Sequence, residues 1–237
     1  MSYAGPVATR SDAAATRSLS ERAYQELRRR ILYCELEPGE LISERGIAAE
    51  IDLGIAAVRS ALVRLSAEGL VTTIPRVGYQ VSSFTIEYIN QFFETWRILG
   101  RAIVRLSHAR MTEADRSRIH ALREENRGGD PADPEAVIVN TDRLWEEMVA
   151  TARNPLLQDF FARMEVDMRR LFILALRADH DRQGITAQML AAPGTNEADT
   201  VEDGLARFDA FVDMSQRYIM RVIVGLPALS RVSLDFV

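Results

Sequence analysis

Arginines at positions 45, 59, 64 and 76 fall within two short helical patterns and a hairpin between Leu41 and Val81, and they are the residues of this chain best suited to chemistry. The forked donors of arginine match guanine O6 and N7 two at a time, and the same fork pairs with phosphate. Val58, Ala61, Leu62 and Leu65 repeat at the i, i+3, i+4, i+7 spacing that buries one helical stripe, which leaves Arg59, Ser60 and Arg64 on or beside the open face. An open helix carrying arginines suits a DNA major groove. A second constellation is Asp142 with Glu146, one helical turn apart and on a face shared with Ile138, Trp145 and Val149. Carboxylates turned inward need hydrogen bonds or a cation, so this pair marks a candidate ligand site or an acid–base pair.

The elements that would position these residues can be read along the chain. A first helix is expected from about Ser20 to Tyr33, with Ala23 or Tyr24, Leu27 and Ile31 as its buried stripe, and Pro38-Gly39 then forces a turn. Ser43 caps a second helix, Asp52-Leu53-Gly54 turns into the third, and Val71–Ile74 with Tyr79–Val81 form strands around Pro75-Arg76-Val77-Gly78, a wing with arginine at its tip. From Phe84 onward the pattern is helical. Ile89, Phe93, Trp96, Leu99, Ile103 and Leu106 define a long helix, Thr112 with Asp115 forms a capping box, and Glu135 to Arg153 ends at Asn154-Pro155, where a new helix starts. A short segment near Ile185–Leu190 and the loop Pro193–Asn196 precede a last helix carrying Val201, Leu205, Phe208, Val212, Ile219 and Val222.

The fold class is therefore mainly α: a winged helix-turn-helix over residues 18–83, after a disordered leader at 1–17, followed by an all-α bundle over 84–230. The 237 residues are 47% hydrophobic, enough for a packed core, and no run of 18 apolar residues or apolar signal core occurs, which points to a cytoplasmic protein. A single cysteine, Cys34, rules out a disulfide framework and a thiolate metal cluster, and packing is its expected role. All 29 basic residues are arginine; residues 1–82 are net neutral and 83–237 carry a net charge of −5, so bulk electrostatics does not mark the N-terminal part as a nucleic-acid binder.

Ser43-Glu44-Arg45, Val58-Arg59, Ala61-Leu62, Leu65 and Ala67-Glu68-Gly69-Leu70-Val71 resemble the winged helix-turn-helix of GntR-type bacterial transcription regulators. The helical remainder, with Asp142 and Asn154-Pro155, is similar to the effector-binding domain of the FadR (FCD) subfamily. The resemblance implies a homodimer on a palindromic double-stranded DNA operator, with a small-molecule effector inside the bundle. It places the DNA contacts at Ser43, Arg45, Ile55, Ala56, Arg59, Arg64, Arg76 and Gly78, and the effector contacts at Trp96, Arg97, Asp142, Trp145, Glu146 and Phe211.

The chain also departs from that family. Where members place Ser, Arg, Thr and Pro before the Val-Arg pair, this chain has Gly54, Ile55, Ala56 and Ala57, so one base-reading arginine is missing and Ile55 or Ala56 could touch a thymine methyl instead. Many members hold a divalent metal through an Asp, a His four residues on and two further His. Here Glu146 and Phe211 take two of the histidine places, and His108, His120 and His180 fit no ligand position. The expected pocket has no metal and no cofactor, and takes an organic acid or apolar metabolite. The arginine usual in the first effector-domain helix aligns with Trp96, or with Arg97 after a one-residue slip. No phosphate loop, nucleophile elbow, Cys–His pair or HExxH motif occurs, so the expectation is not an enzyme, and the alternative is a sensor of the same fold that has lost DNA binding.

Overall fold

The computed structural model describes residues 10–190 and 200–223, and the chain divides into two compact units between Ser83 and Phe84. In the first unit α1 (Arg10–Leu32), β1 (Leu41–Ile42), α2 (Glu44–Glu50), α3 (Ile55–Ala67), β2 (Val71–Ile74) and β3 (Gly78–Val81) follow in order. Ala23, Leu27 and Ile31 of α1 meet the Val58, Ala61, Leu62 and Leu65 stripe of α3, each of the seven 1% exposed or less. Ser43 accepts a hydrogen bond from the Gly46 amide at 3.0 Å and so starts α2.

Two features differ from the expected pattern. Helix α1 begins at Arg10, inside the segment read as a disordered leader, because Ala13-Ala14-Ala15 has the highest helix propensity and no residue there breaks the helix. The expected wing of two strands is a three-stranded antiparallel sheet in the order β1-β3-β2, with Leu41 opposite Gln80 and Ile42 opposite Tyr79. The turn after β2 places Arg76 at φ +66°, and Gly78 follows at φ +135°. A Cβ on Gly78 would lie 2.6 Å from the Ile42 carbonyl oxygen, so only glycine lets β3 pass β1 this closely.

The second unit is a bundle of α4 (Ile86–Arg110), α5 (Glu113–Arg127), α6 (Pro134–Thr151), α7 (Pro155–Ala178), α8 (Gln183–Leu190) and α9 (Val201–Ile223). Thr112 and Asp115 form the capping box that starts α5, and Asn154 caps α7 with Pro155 in its first turn. Helix α4 runs against α9 at Gly100, where a Cβ would fall 2.0 Å from Cζ of Phe208. Trp96, 1% exposed, is the hub of the core: the rings of Phe93, Trp145, Phe208 and Phe211 surround it with centroids 5.7–6.2 Å away. No helix among the described residues is long and apolar enough to cross a membrane. The expected loop Pro193–Asn196, the first nine residues of the expected leader and the end of the expected bundle at 224–230 lie outside the described residues.

Candidate nucleic-acid interface and effector cavity

Several of the residues expected to meet DNA are exposed in the first unit. Arg45 on α2, Ile55, Ala56 and Arg59 on α3, and Arg76 on the wing are all exposed. Arg59 donates from Nε and Nη2 to the Glu44 carboxylate at 2.8–3.0 Å, a side-on fork between α3 and α2. Pairing with Arg59 holds the Glu44 carboxyl below the usual range, so it stays ionised. Of the residues expected to contact DNA, Ser43 has its hydroxyl in the α2 cap, and Gly78 is explained by the close strand crossing.

Arg64 sits differently. Five residues beyond Arg59, it is turned about 140° around the helix axis, and its guanidinium stacks on Tyr24 of α1, 3.4 Å from the ring centroid. Nη1 of Arg64 donates to Glu21 at 2.8 Å, and Tyr24 donates to Glu68 at 2.8 Å. The side chain, expected among the DNA contacts, braces α1 against α3 and remains half exposed.

In the second unit, Trp96, Trp145, Asp142 and Phe211, four of the residues expected to contact an effector, line one cavity with Met168, Arg169, Phe172 and Met189. The free volume is about 10 Å³, room for one water. Its walls are aromatic and thioether surface, and one end is polar. There Arg169 donates to Asp142 Oδ2 from Nε at 2.8 Å and lies 3.0 Å from Glu165 through Nη2. Asp142 is 6% exposed, and burial is the largest influence on it, pushing its pKa up to about 7 against the opposing pull of Arg169. The indole Nε1 of Trp96 is buried with no hydrogen-bond partner among the described residues.

Two expected effector contacts are corrected. Glu146 is exposed and does not line the cavity: residues four apart are offset by about 40° around a helix, enough to carry it off the edge of the face that buries Asp142. Arg97 is also outside, because one step beyond Trp96 turns it toward α9, where it lies 3.4 Å from Asp209 and 2.5 Å from Asp213. The cavity arginine is Arg169, which the sequence reading missed. The available signal was a pair of adjacent arginines embedded in the apolar stripe of α7.

The arrangement of an amphipathic recognition helix, an arginine-tipped wing and an enclosed aromatic cavity in a separate helical unit agrees with the family models. Residues 19–81 match the bacterial regulatory proteins of the gntR family, and residues 91–192 match the FCD domain. The chain belongs to the GntR family of transcription regulators, in its FCD subfamily. Relatives of this regulator include an HTH-type transcriptional regulator in an unstable DNA locus of Streptomyces ambofaciens, 41% identical over 59 residues and covering 25% of each chain. The HTH-type transcriptional repressor RspR of Escherichia coli K12 is 24% identical over 99 residues, 42% of this chain and 43% of RspR. The chain thus spans about a quarter and about two fifths of the lengths of these two relatives. Among solved structures, E. coli McbR/YncC superposes with a TM-score of 0.70 at 16% identity, covering 86% of this chain and 97% of that one. A GntR transcriptional regulator from Rhodococcus sp. RHA1 gives 0.59 at 16% identity, covering 86% and 98%. These regulators share the fold, and neither the families nor the relatives are enzymes.

The metal that many FCD domains hold does not fit the residues present. The Asp142 carboxylate that would ligate it is taken by the Arg169 guanidinium at 2.7 Å, Glu146 is exposed and outside the cavity lining, and Phe211 offers only a ring. No group of three or more His, Cys, Asp or Glu among the described residues is placed to hold a metal ion. A fixed guanidinium stands where a cation would be needed to compensate the buried carboxylate.

Proposed function

We propose that this regulator binds a palindromic operator as a homodimer and that a small organic acid or apolar metabolite, held in the Trp96–Trp145 cavity, modulates that binding. One recognition helix reads too few base pairs to specify a site, and two-fold symmetry doubles the reading. Arg45 and Arg59 are the base readers, Ile55 and Ala56 meet thymine methyls, and Arg76 holds the backbone from the wing. Repression is the sign carried over from RspR.

The observation that carries the effector assignment is the composition of the cavity: aromatic walls with a single polar end at Asp142 and Arg169. Such a site suits a mostly apolar molecule with one carboxyl group, bonded by the donors of Arg169 and the free indole N–H of Trp96. With room for only one water, the cavity must widen as the ligand enters. Helix α7 links this end to the start of the unit. Arg170, next to Arg169 and 1% exposed, stacks on Phe84, 4.6 Å from the ring centroid, and pairs with Asp167, which accepts from Tyr88. Phe84 is the first residue after the DNA-binding unit, so a shift of α7 is felt where the chain leaves that unit.

Selection from a random duplex library tests the operator assignment. The expected product is an inverted repeat bound by two chains, with affinity falling steeply as salt rises. Failure to enrich any sequence would leave the alternative, a sensor that no longer reads DNA, an outcome for which apolar Ile55 and Ala56 at the start of α3 would account.

A further inference from the structure

Glu44 pairs with Arg59, one of the two arginines proposed above as base readers, and it is less exposed than that arginine. Its side chain is 23% exposed and that of Arg59 is 63% exposed. It occupies the first turn of α2, whose start is fixed by the Ser43 cap and whose N-terminal dipole favours a carboxylate there. Glu44 is therefore the anchored partner and Arg59 the one that leans on it.

The form of the pair decides what it does. Arg59 uses Nε and one N–H of Nη2 on Glu44. A guanidinium has five N–H donors, so its outer edge, formed by Nη1 and the second N–H of Nη2, is left with two parallel donors pointing away from the carboxylate. That edge has the spacing that guanine O6 and N7 accept. A pair that is net neutral adds little to sequence-independent attraction for phosphates, while the same arginine without its carboxylate is free to swing onto the nearest one.

We propose that Glu44 is a specificity-determining residue: it holds Arg59 side-on so that the guanidinium can meet only an in-line bidentate acceptor, and so trades general DNA affinity for discrimination. This rests on the assignment of Arg59 as a base reader made above. Glu44 touches no base itself and acts as a positioning residue.

The test compares wild type, Glu44→Ala and Glu44→Gln on two probes of equal length and composition: the duplex enriched by wild type from the random library, and a shuffled version of it. For Glu44→Ala the enriched duplex is expected to bind about tenfold more weakly, while the shuffled duplex binds equally or more tightly. The slope of log affinity against log salt should steepen by about 0.9 per chain as Arg59 takes up a phosphate. Glu44→Gln keeps an acceptor without the charge and should fall between wild type and Glu44→Ala on both probes. A thermal melt checks that each variant is folded. An unchanged ratio between the two probes overturns the proposal, whether both affinities drop together or neither moves. If Arg59→Ala also leaves that ratio unchanged, the base-reading assignment falls with it; if Arg59→Ala lowers the ratio and the Glu44 variants do not, only the role of Glu44 is lost.

Discussion

Replacing Asp142 by Asn should change how stability depends on pH, and the structure sets both direction and size. The carboxyl is 6% exposed with Arg169 as its partner, and its pKa lies at about 7 against an ordinary 3.8. Between those values the folded chain holds a proton that the unfolded chain has released, so raising the pH across this window favours unfolding, and the effect levels off above about 7. Three units correspond to about 4 kcal/mol, and solvent reaching Arg169 reduces this to about 2–4 kcal/mol. The assay is guanidinium chloride denaturation of wild type and Asp142→Asn at intervals from pH 4.5 to 8. Other carboxylates, such as Asp115, which hydrogen bonds and Arg153 hold far below the usual range, titrate alike in both proteins and cancel in the difference. Wild type should lose stability relative to the variant as pH rises to about 7.5 and then run parallel to it. Parallel curves throughout would refute the reasoning. So would a wild type that gains relative stability with pH, since that would mean Arg169 outweighs burial.

Arg76→Ala should weaken enriched and shuffled duplexes by similar factors in an anisotropy titration, as a phosphate contact does, while Arg59→Ala should cost about 1–3 kcal/mol on the enriched duplex alone. Gly100→Ala should lower stability by about 1–3 kcal/mol in a denaturant titration, because the added methyl displaces the buried ring of Phe208. Elemental analysis of purified protein should find far less than one transition metal per chain, and a chelator should leave DNA affinity unchanged, since Arg169 already occupies Asp142.

Periodicity made α3 legible through the Val58–Leu65 stripe, and the Ser43 cap marked the start of α2, because both act through local spacing alone. The capping box at Thr112 and the Asn154-Pro155 start were legible for the same reason. The strand Leu41–Ile42 was not, since two residues carry no alternation and its pairing with β3 is a tertiary fact. At the candidate site Asp142, Trp96 and Trp145 followed from helical faces and Phe211 from the family resemblance, but neither says where a face ends, and Glu146 and Arg97 fell just past the edge. Arg64 and Arg169 show the same limit from the other side. Both are arginines on amphipathic helices, and only the packing of α3 on α1 and of α7 on α6 shows that one braces Tyr24 and the other reaches a buried carboxylate.

Both tryptophans of the chain line the cavity, so their emission reports its occupancy while labelled DNA reports operator binding in the same cuvette. The most direct test of the account is the affinity for the enriched duplex with and without the small carboxylic acid that most raises the melting temperature in a screen. The account predicts that tryptophan emission shifts as the acid binds and that operator affinity changes by about 5- to 150-fold at saturation, the usual range of coupling between sites. Equal operator affinity at full cavity occupancy would contradict it, as would a screen in which no carboxylic acid stabilises the protein or alters the emission.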